Sequence, residues 1–214
     1  MLCIIQARSN SKRFKNKVLH LIHGVPLIQH VINRVKRSKK IKKIIVASSL
    51  KKNDDNLISY LKKNKINFFR GDLENVAMRL YKTAKKNKAK FFVRISGDSP
   101  LIDPKLIDKA IKMSKGVKNY DIITNLFPRT FPKGQSVEVI KTSILKKYSK
   151  SFSKLDKEHV TKYFYDNSNY FRIKNFKFNS KHKTMKLSID TKKDLKDILN
   201  KFNKKKFKNY SIKI

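Results

Sequence analysis

The amino-acid sequence predicts an α/β fold in which helices cover a mostly parallel β-sheet. The chain has 214 residues, the length of one α/β domain with at most a small appendage. Hydrophobic residues make up 39% of the chain, which is enough to form a core. In the first half, short apolar runs alternate with segments whose apolar residues have helical spacing. This alternation is typical of parallel sheets, which bind ligands at the carboxyl ends of their strands.

Each element of the first half follows from a local pattern. Short apolar runs predict strands, and apolar residues three or four positions apart predict helices. Pro26 is expected in the first turn of its helix, and Asp103 is expected to cap another helix. The strands are expected at 2–5, 44–47, 67–69 and 91–95, and the helices at 26–38, from 54 or 55 through 61, at 76–84 and at 103–111.

After Gly116 the pattern changes and predicts a larger share of strand. Strands are expected at 121–124, 137–140, 170–173 and 187–189, with a long loop at 127–134 and a helix at 158–165. Thr191 is expected to cap a last helix, and the basic segment from Lys204 onward has only a weak pattern. The chain shows no internal repeat and no linker. We therefore expect a single domain over 1–214 with a β-rich part around 125–185.

The formal net charge of +39 raises the possibility of a nucleic-acid partner. The residue types argue against one. Lys accounts for 45 of the 54 cationic residues and Arg for only nine, while Asn reaches 18, which is typical of compositional bias. Arg is the residue that base edges and phosphates favour. We therefore expect an enzyme with a solvated Lys coat and no nucleic-acid partner.

Scarce residue types exclude several kinds of site. The five glycines cannot compose the glycine-rich loops that commonly bind dinucleotides or phosphates. Cys3 is the single cysteine, which excludes an internal disulfide and a multi-thiolate zinc site. No apolar run approaches the roughly 20 residues of a membrane span, and the apolar start ends too early, at Arg8, for a signal peptide. We expect a cytoplasmic protein without membrane insertion.

Two segments that follow predicted strands carry the main candidate chemistry. The segment 6–17 combines cations with small polar side chains, which suits a polyphosphate, although a flexible basic loop is the alternative. Asp98 follows the strand at 91–95, where a carboxylate can hold Mg²⁺ on the phosphates of a nucleotide. Asp is also a common turn residue, which is the alternative for Asp98.

Three further residues are candidates for ligand binding. Asp190 ends the apolar segment 187–189 and is either a second Mg²⁺ ligand or the start of the next helix. Two acids after strands, in a chain with only 15 acidic residues, favour the ligand. Glu138 alternates with valines and so points to one face of its strand. His159 is a candidate substrate contact, with a structural role as the alternative.

Six segments of the chain, taken in order, match the motifs of one enzyme family. They are Ile4–Arg13 with Lys17–Leu19, Phe69–Asp72, Arg94–Asp103, Val137–Val139, Glu158–Thr161 and Ile189–Leu195. Together they resemble the cytidylyltransferases that make CMP-activated sugar acids such as CMP-sialic acid and CMP-Kdo. Within that family they are most similar to the branch of the spore coat polysaccharide biosynthesis protein F. The resemblance covers nearly the whole chain.

The resemblance implies a Rossmann-like nucleotidyltransferase fold, in a family whose members are usually homodimers. It implies that the loop after the first strand holds the base and triphosphate of CTP. The matching nucleotide-binding positions are Ala7, Arg8, Ser11, Arg13 and Lys17, joined by Arg70 and Arg94 in the later segments. Gln135, Glu138 and His159 are the corresponding candidates for binding the sugar.

The resemblance also implies a reaction in which the anomeric hydroxyl of a sugar attacks the α-phosphate of CTP and releases pyrophosphate. The implied catalytic set is Arg8, Lys17, Asp98 and Asp190, with the two aspartates holding Mg²⁺. The implied acceptor is a 2-keto-3-deoxy sugar acid used for surface polysaccharide. Alternatives are a glycosyltransferase of the same fold, a basic nucleic-acid-binding module and a non-catalytic relative.

The sequence departs from the family pattern at two places. Lys15 and Asn16 stand where the family has proline and glycine before the loop lysine. Lys162 follows His159, Val160 and Thr161 where the family has proline.

Overall fold

Strands and helices alternate along the first half of the chain, as the sequence predicts. The computed structural model describes residues 1–9, 13–116, 119–178 and 185–212. The strands are β1 (Leu2–Gln6), β2 (Leu21–Ile22), β3 (Val25–Pro26), β4 (Lys43–Ser49), β5 (Phe68–Gly71), β6 (Phe91–Ser96), β7 (Ile122–Thr124), β8 (Glu138–Lys141) and β9 (Ile173–Asn175). The α-helices are α1 (Leu27–Lys36), α2 (Asp55–Lys63), α3 (Val76–Lys86), α4 (Pro104–Gly116), α5 (Thr142–Lys147), α6 (Lys154–Glu158), α7 (Lys162–Asp166), α8 (Lys192–Lys201) and α9 (Lys204–Asn209).

One seven-stranded sheet organises the described residues, in the order β5-β4-β1-β6-β8-β7-β9. The central strand β1 pairs in parallel with β4 and β6, and Gln6 lies opposite both Ala47 and Ser96. The carboxyl ends of these three strands therefore meet at one edge. β8 runs antiparallel to β6 and β7, and β9 runs parallel to β7. The short strands β2 and β3 form a separate antiparallel hairpin.

Each face of the sheet is covered by a hydrophobic core, which is why the strands consist of near-continuous apolar runs. Successive residues of β1 point to opposite faces. Ile5 packs into one cluster together with Val31 of α1, and Ile4 packs into the other with Leu80 of α3. Both isoleucines are fully buried.

The structure corrects several predicted elements of the second half. The helix expected at 158–165 is interrupted, because α6 ends at Glu158, α7 begins at Lys162, and Val160 between them has a φ of 35°. The strand expected at 170–173 lies three residues later, as β9. The segment 187–189 is not a strand of the sheet: Leu187 N–H donates to the carbonyl of Lys133 instead.

Three smaller differences concern element ends and short elements. Pro26 ends β3 and precedes α1, so it does not lie in the first helical turn. Arg70 and Gly71 belong to β5, which extends two residues past the expected strand. The sequence patterns did not predict helices α5 and α9. The stretch around 125–185 contributes β8 and β9 to the main sheet, and its other elements in the described residues are short helices. In the described part of the chain, no helix is both long and apolar enough to span a membrane.

Candidate active site

A cleft of about 290 Å³ opens at the edge where the carboxyl ends of β1 and β6 meet. This is where parallel α/β sheets bind ligands. Both β1 and β6 end in polar residues that face the cleft. The lining residues are Gln6, Ala7, Arg8, Arg13, Lys17, Val18, Arg94, Ser96, Gly97, Asp98, Glu158, His159 and Asp190.

The cleft centres on the ammonium group of Lys17, on which two carboxylates converge. Lys17 Nζ lies 3.3 Å from Asp98 Oδ2 and 3.2 Å from Asp190 Oδ1, and it donates to the carbonyl of Ile189 at 3.0 Å. The Lys17 side chain is only 12% exposed, and the two carboxylates are 22% and 24% exposed. Arg13 approaches Asp190 from the solvent side at 3.6 Å. Residues far apart in sequence thus form one compact charged centre.

Gly97 allows Asp98 to lie next to the loop after β1. Its N–H donates to the carbonyl of Gln6 at 2.8 Å. A Cβ at Gly97 would lie 2.8 Å from the Cβ of Ala7, closer than real side chains approach. Only glycine permits this contact, which brings Asp98 to the mouth of the cleft.

Asp190 reaches the cleft through an extended segment that packs against the main domain. The carbonyl of Lys133 accepts from Leu187 N–H at 2.7 Å, and the carbonyl of Asp98 accepts from Ile189 N–H at 2.9 Å. Gly134 has a φ of +96°, and a Cβ there would lie 2.5 Å from the carbonyl carbon of Leu187. The two acids of the cleft are therefore tied together by a backbone hydrogen bond.

Asp190 also precedes the N-cap of α8, and it lines the cleft from that position. Thr191 is the N-cap of α8 and forms a capping box with Asp194. Burial acts to raise the pKa of Asp194, but Lys186 and the N–H groups of Asp190 and Thr191 lower it to about 2. Burial would likewise raise the pKa of Asp190, but the ammonium groups of Lys17 and Lys186 hold that pKa below its ordinary value.

The rim of the cleft carries an ion pair between residues that are far apart in the sequence. Arg8 Nη2 lies 2.7 Å from Glu158 Oε1, and both side chains are partly exposed. Glu158 ends α6, and the turn from His159 to Thr161 separates it from α7. This interruption of the expected helix places both Glu158 and His159 on the cleft wall.

Arg94 occupies the other side of the cleft, where Gln6 and the buried Glu138 hold it. Its Nε donates to Gln6 Oε1 at 3.0 Å, and its Nη1 pairs with Glu138. Glu138 is 2% exposed and accepts from Thr161 and from Tyr165, at 2.7 and 2.6 Å. Burial and the Glu138 carboxylate raise the pKa of Tyr165 well above its ordinary value, so its phenol remains a donor. Glu138 therefore orients Arg94 and does not itself line the cleft.

Two predicted site residues lie away from the cleft. Arg70 pairs with Asp55 at 2.8 Å, on β5 at the outer side of the sheet. Gln135 is fully buried, where its Oε1 accepts from the N–H of Asp103 and its Nε2 donates to the carbonyl of Leu101. Their polar groups serve the fold at these positions.

Most of the predicted residues come together in the cleft. Those that line it are Ala7, Arg8, Arg13, Lys17, Arg94, Asp98, His159 and Asp190. Ser11 lies outside the described residues. Glu158 and Gln6 also take part and were not predicted as site residues. The signal for them was their place in segments 158–161 and 4–13, since neither residue type marks a site by itself.

A divalent ion at Asp98 and Asp190 would need ligands besides these two carboxylates. No group of three or more His, Cys, Asp or Glu side chains within the described residues could hold a metal by itself. Asp98 and Asp190 converge on one cation, the ammonium group of Lys17, so their oxygens face the same point of the cleft. Carboxylate oxygens suit Mg²⁺, which commonly takes one or two protein carboxylates and completes its shell with phosphates and water.

The chain is similar to cytidylyltransferases over nearly its whole length. A family model described as cytidylyltransferase matches residues 2–214. An uncharacterised protein of Methanocaldococcus jannaschii is 36% identical over 196 residues, which cover 90% of this chain and 79% of that protein. The spore coat polysaccharide biosynthesis protein SpsF of Bacillus subtilis is 31% identical over 208 residues, which cover 92% of this chain and 84% of SpsF.

A solved structure is similar over almost the whole fold. It is a cytidylyltransferase from Leptospira borgpetersenii, with a TM-score of 0.87 and 28% sequence identity. The match covers 95% of this chain and 88% of that one.

Proposed function

The chain belongs to the cytidylyltransferase family, and from that premise we propose that it transfers CMP from CTP to a sugar and releases pyrophosphate. One observation carries the proposal: Asp98 and Asp190 converge on Lys17 beside the loop after β1. Nucleotidyl transfer needs two things from the protein: positive charge that neutralises the phosphates, and placement of the attacking and leaving oxygens in line. The cleft has groups suited to both.

The cations of the cleft would bind the triphosphate. Lys17 and Arg13 now contact the two carboxylates, and Arg8 contacts Glu158. Phosphate oxygens are strong acceptors for such groups, and Arg binds them through two parallel hydrogen bonds. A triphosphate would therefore take these cations from their carboxylate partners. Ala7, which lies at the start of the same loop, would border the base.

Asp98 and Asp190 would hold Mg²⁺ once Lys17 has turned to the phosphates. The ion would supply positive charge to the α-phosphate, which favours attack there. The hydrogen bond from Ile189 N–H to the carbonyl of Asp98 would keep the two aspartates together at the carboxyl edge of β6.

The acceptor that suits the remaining wall is a sugar that bears a carboxylate, and a 2-keto-3-deoxy sugar acid has this chemistry. Arg94 lines the cleft with two of its nitrogens held by Gln6 and Glu138, so its guanidinium has a fixed orientation. A fixed guanidinium favours a planar carboxylate. His159 lines the same wall and would contact the sugar. The activated sugar would serve surface polysaccharide synthesis, by analogy with the name of SpsF.

The proposal is tested by measuring pyrophosphate release with Mg²⁺. CTP, UTP and ATP are each combined with a panel of 2-keto-3-deoxy sugar acids and neutral phosphosugars. We expect release with CTP and a sugar acid. Turnover of a nucleotide sugar without pyrophosphate would instead indicate a glycosyltransferase. Equal thermal stabilisation by all three nucleotides, or tight and salt-dependent binding of duplex DNA without CTP binding, would contradict the proposal.

We propose in addition that the protein acts as a homodimer in the cytoplasm, where CTP is available. The family resemblance supports the dimer. Light scattering on the purified protein at micromolar concentration tests it, and a monomer mass would contradict it.

A further inference from the structure

Asp54 is a buried carboxylate that no step of the proposed reaction uses. It is fully buried, in a single 3₁₀ turn (Lys52–Asp54) before α2. Its Oδ2 accepts from Ser48 Oγ and Ser49 N–H, each at 2.9 Å, and from Ser49 Oγ. Its Oδ1 accepts from the backbone N–H of Ser9 at 2.6 Å. One oxygen therefore binds the end of β4, and the other binds the loop after β1.

The two ends of the loop after β1 meet at Ser9, and we call this contact the loop closure. The N–H of Ser9 is held by Asp54, and its carbonyl accepts from the N–H of Asn16 at 2.9 Å. Arg8 directly precedes Ser9, and Lys17 directly follows Asn16. The two cations that the proposed function assigns to the triphosphate thus flank one closure, and Asp54 fixes that closure to the sheet.

A buried cation lies near the same closure. Arg79 of α3 is 1% exposed, and its Nη1 donates to the carbonyl of Asp72 at 2.5 Å. Its Nε and Nη2, and Ser9 Oγ, find no hydrogen-bond partner among the described residues. Burial, together with the charge of Arg8, lowers the pKa of Arg79 to about 10, and the Asp54 carboxylate opposes this change. Asp54 is therefore, with Asp72, one of two nearby anions that partly offset the burial of this arginine.

We propose that Asp54 is a positioning residue, which holds the loop after β1 so that Arg8 and Lys17 meet the triphosphate of CTP. This inference rests on the proposed function. Asp54 acts through Ser9 and touches no substrate. Its carboxylate accepts a main-chain N–H of the loop after β1 and so fixes the direction and distance of that group, as a neighbouring strand does in a sheet.

The test compares Asp54→Asn with a matched control, Asp103→Asn. Asp103 is 1% exposed and accepts from Lys105 N–H, Ser211 Oγ and Ile212 N–H, so it is as buried as Asp54 and accepts nearly as many hydrogen bonds. It holds the C-terminal segment, not the nucleotide loop. An asparagine at either site replaces one accepting oxygen with an amide that cannot accept. Both variants should lose thermal stability.

Only Asp54→Asn should weaken the binding of CTP. We expect its dissociation constant for CTP with Mg²⁺, from calorimetric titration, to rise about tenfold or more, while Asp103→Asn stays within about threefold of wild type. Amide hydrogen exchange at Ser9 and Asn16, measured without nucleotide, should quicken only in Asp54→Asn. If Asp54→Asn does not fold, Ser48→Ala removes one β4 donor and should shift both measurements in the same direction, by less.

The outcomes distinguish the positioning role of Asp54 from the proposed function. Equal CTP affinity and equal exchange at Ser9 and Asn16 in the Asp54 and Asp103 variants would overturn the positioning role. If wild type itself binds no CTP, the proposed function fails, and the exchange measurement still decides whether Asp54 holds the loop.

Discussion

Lys17 and a divalent cation should compete for the same two carboxylates, and Lys17→Met makes this competition measurable. The substitution keeps most of the length of the side chain and removes its charge. In the cleft, Lys17 Nζ lies 3.3 Å from Asp98 and 3.2 Å from Asp190. Without the ammonium, these carboxylates face each other with no cation between them, so they should attract a divalent ion more strongly. Nucleotide-free Mn²⁺ affinity is therefore expected to rise.

The size of the effect follows from the distances and the burial. Two unit charges about 4 Å apart interact by about 4 kcal/mol at an effective dielectric constant of 20, and by about 1 kcal/mol in water. The three side chains are 12%, 22% and 24% exposed, which places the cleft between those limits. Removing the repulsion of one ammonium should then be worth at least about 1.4 kcal/mol, or tenfold in affinity.

Mn²⁺ is a spectroscopic substitute for Mg²⁺, and the free ion can be counted by electron paramagnetic resonance. The matched control is Lys186→Met, which removes the same charge from a lysine 3.4 Å from Asp190 but not in contact with Asp98. Lys186→Met should change Mn²⁺ affinity by less than Lys17→Met. Pyrophosphate release should fall at least about 100-fold in Lys17→Met, because the lysine is proposed to bind the phosphates. Mn²⁺ affinity that does not rise in Lys17→Met would refute the competition.

Three further predictions concern the two acids of the cleft, a glycine that lets the Asp190 segment pack, and the capping box of α8. Asp98→Asn and Asp190→Asn should each reduce Mg²⁺-dependent pyrophosphate release by at least about 100-fold with an unchanged circular dichroism spectrum, because each removes a proposed metal ligand. Gly134→Ala should cost about 2–4 kcal/mol in denaturant unfolding, because Gly134 has a φ of +96° and its new Cβ would lie 2.5 Å from the backbone of Leu187. Asp194→Asn should cost about 1 kcal/mol at pH 7. The folded pKa of Asp194, about 2, lies below the ordinary 3.8, so this contribution is complete above pH 4 and disappears as the pH falls towards 2.

Each of these has an outcome that contradicts its premise. Near-normal turnover of either aspartate variant would remove that residue from the metal site. Wild-type stability of Gly134→Ala would show that the contact with Leu187 relaxes. A stability difference for Asp194→Asn that persists unchanged at pH 2 would show that the carboxylate charge does not stabilise α8.

The first half of the fold could be predicted because its signals are local. Continuous apolar runs predict buried strands wherever helices cover both faces, and β1, β4 and β6 have this pattern. Once these strands are parallel, their carboxyl ends share one edge, so the loops that carry Lys17 and Asp98 lie on the same side of the sheet. The prediction of that part of the cleft needed no knowledge of packing.

The second half depends on contacts that a local pattern does not contain. The apolar spacing continues across α6 and α7, but Val160 adopts a positive φ and breaks the helix. The apolar segment 187–189 is buried against a loop, where a strand would give the same pattern. Polar residues pose the same difficulty, since Gln135 and Glu138 are both buried and occupied with internal hydrogen bonds. The sequence does not distinguish a side chain that positions a neighbour from one that binds a ligand.

The route of Asp190 into the cleft has a consequence for the order in which the protein matures during synthesis. All strands of the main sheet among the described residues are complete at Asn175, whereas Asp190 emerges 15 residues later, in a segment that belongs to no strand. The strands of the sheet therefore leave the ribosome before the second carboxylate does. Domains generally fold as units, and Leu187 and Ile189, just before Asp190, belong to the core on one face of the sheet. The same late segment thus completes both the core and the acid pair, so a chain cut short before it lacks both.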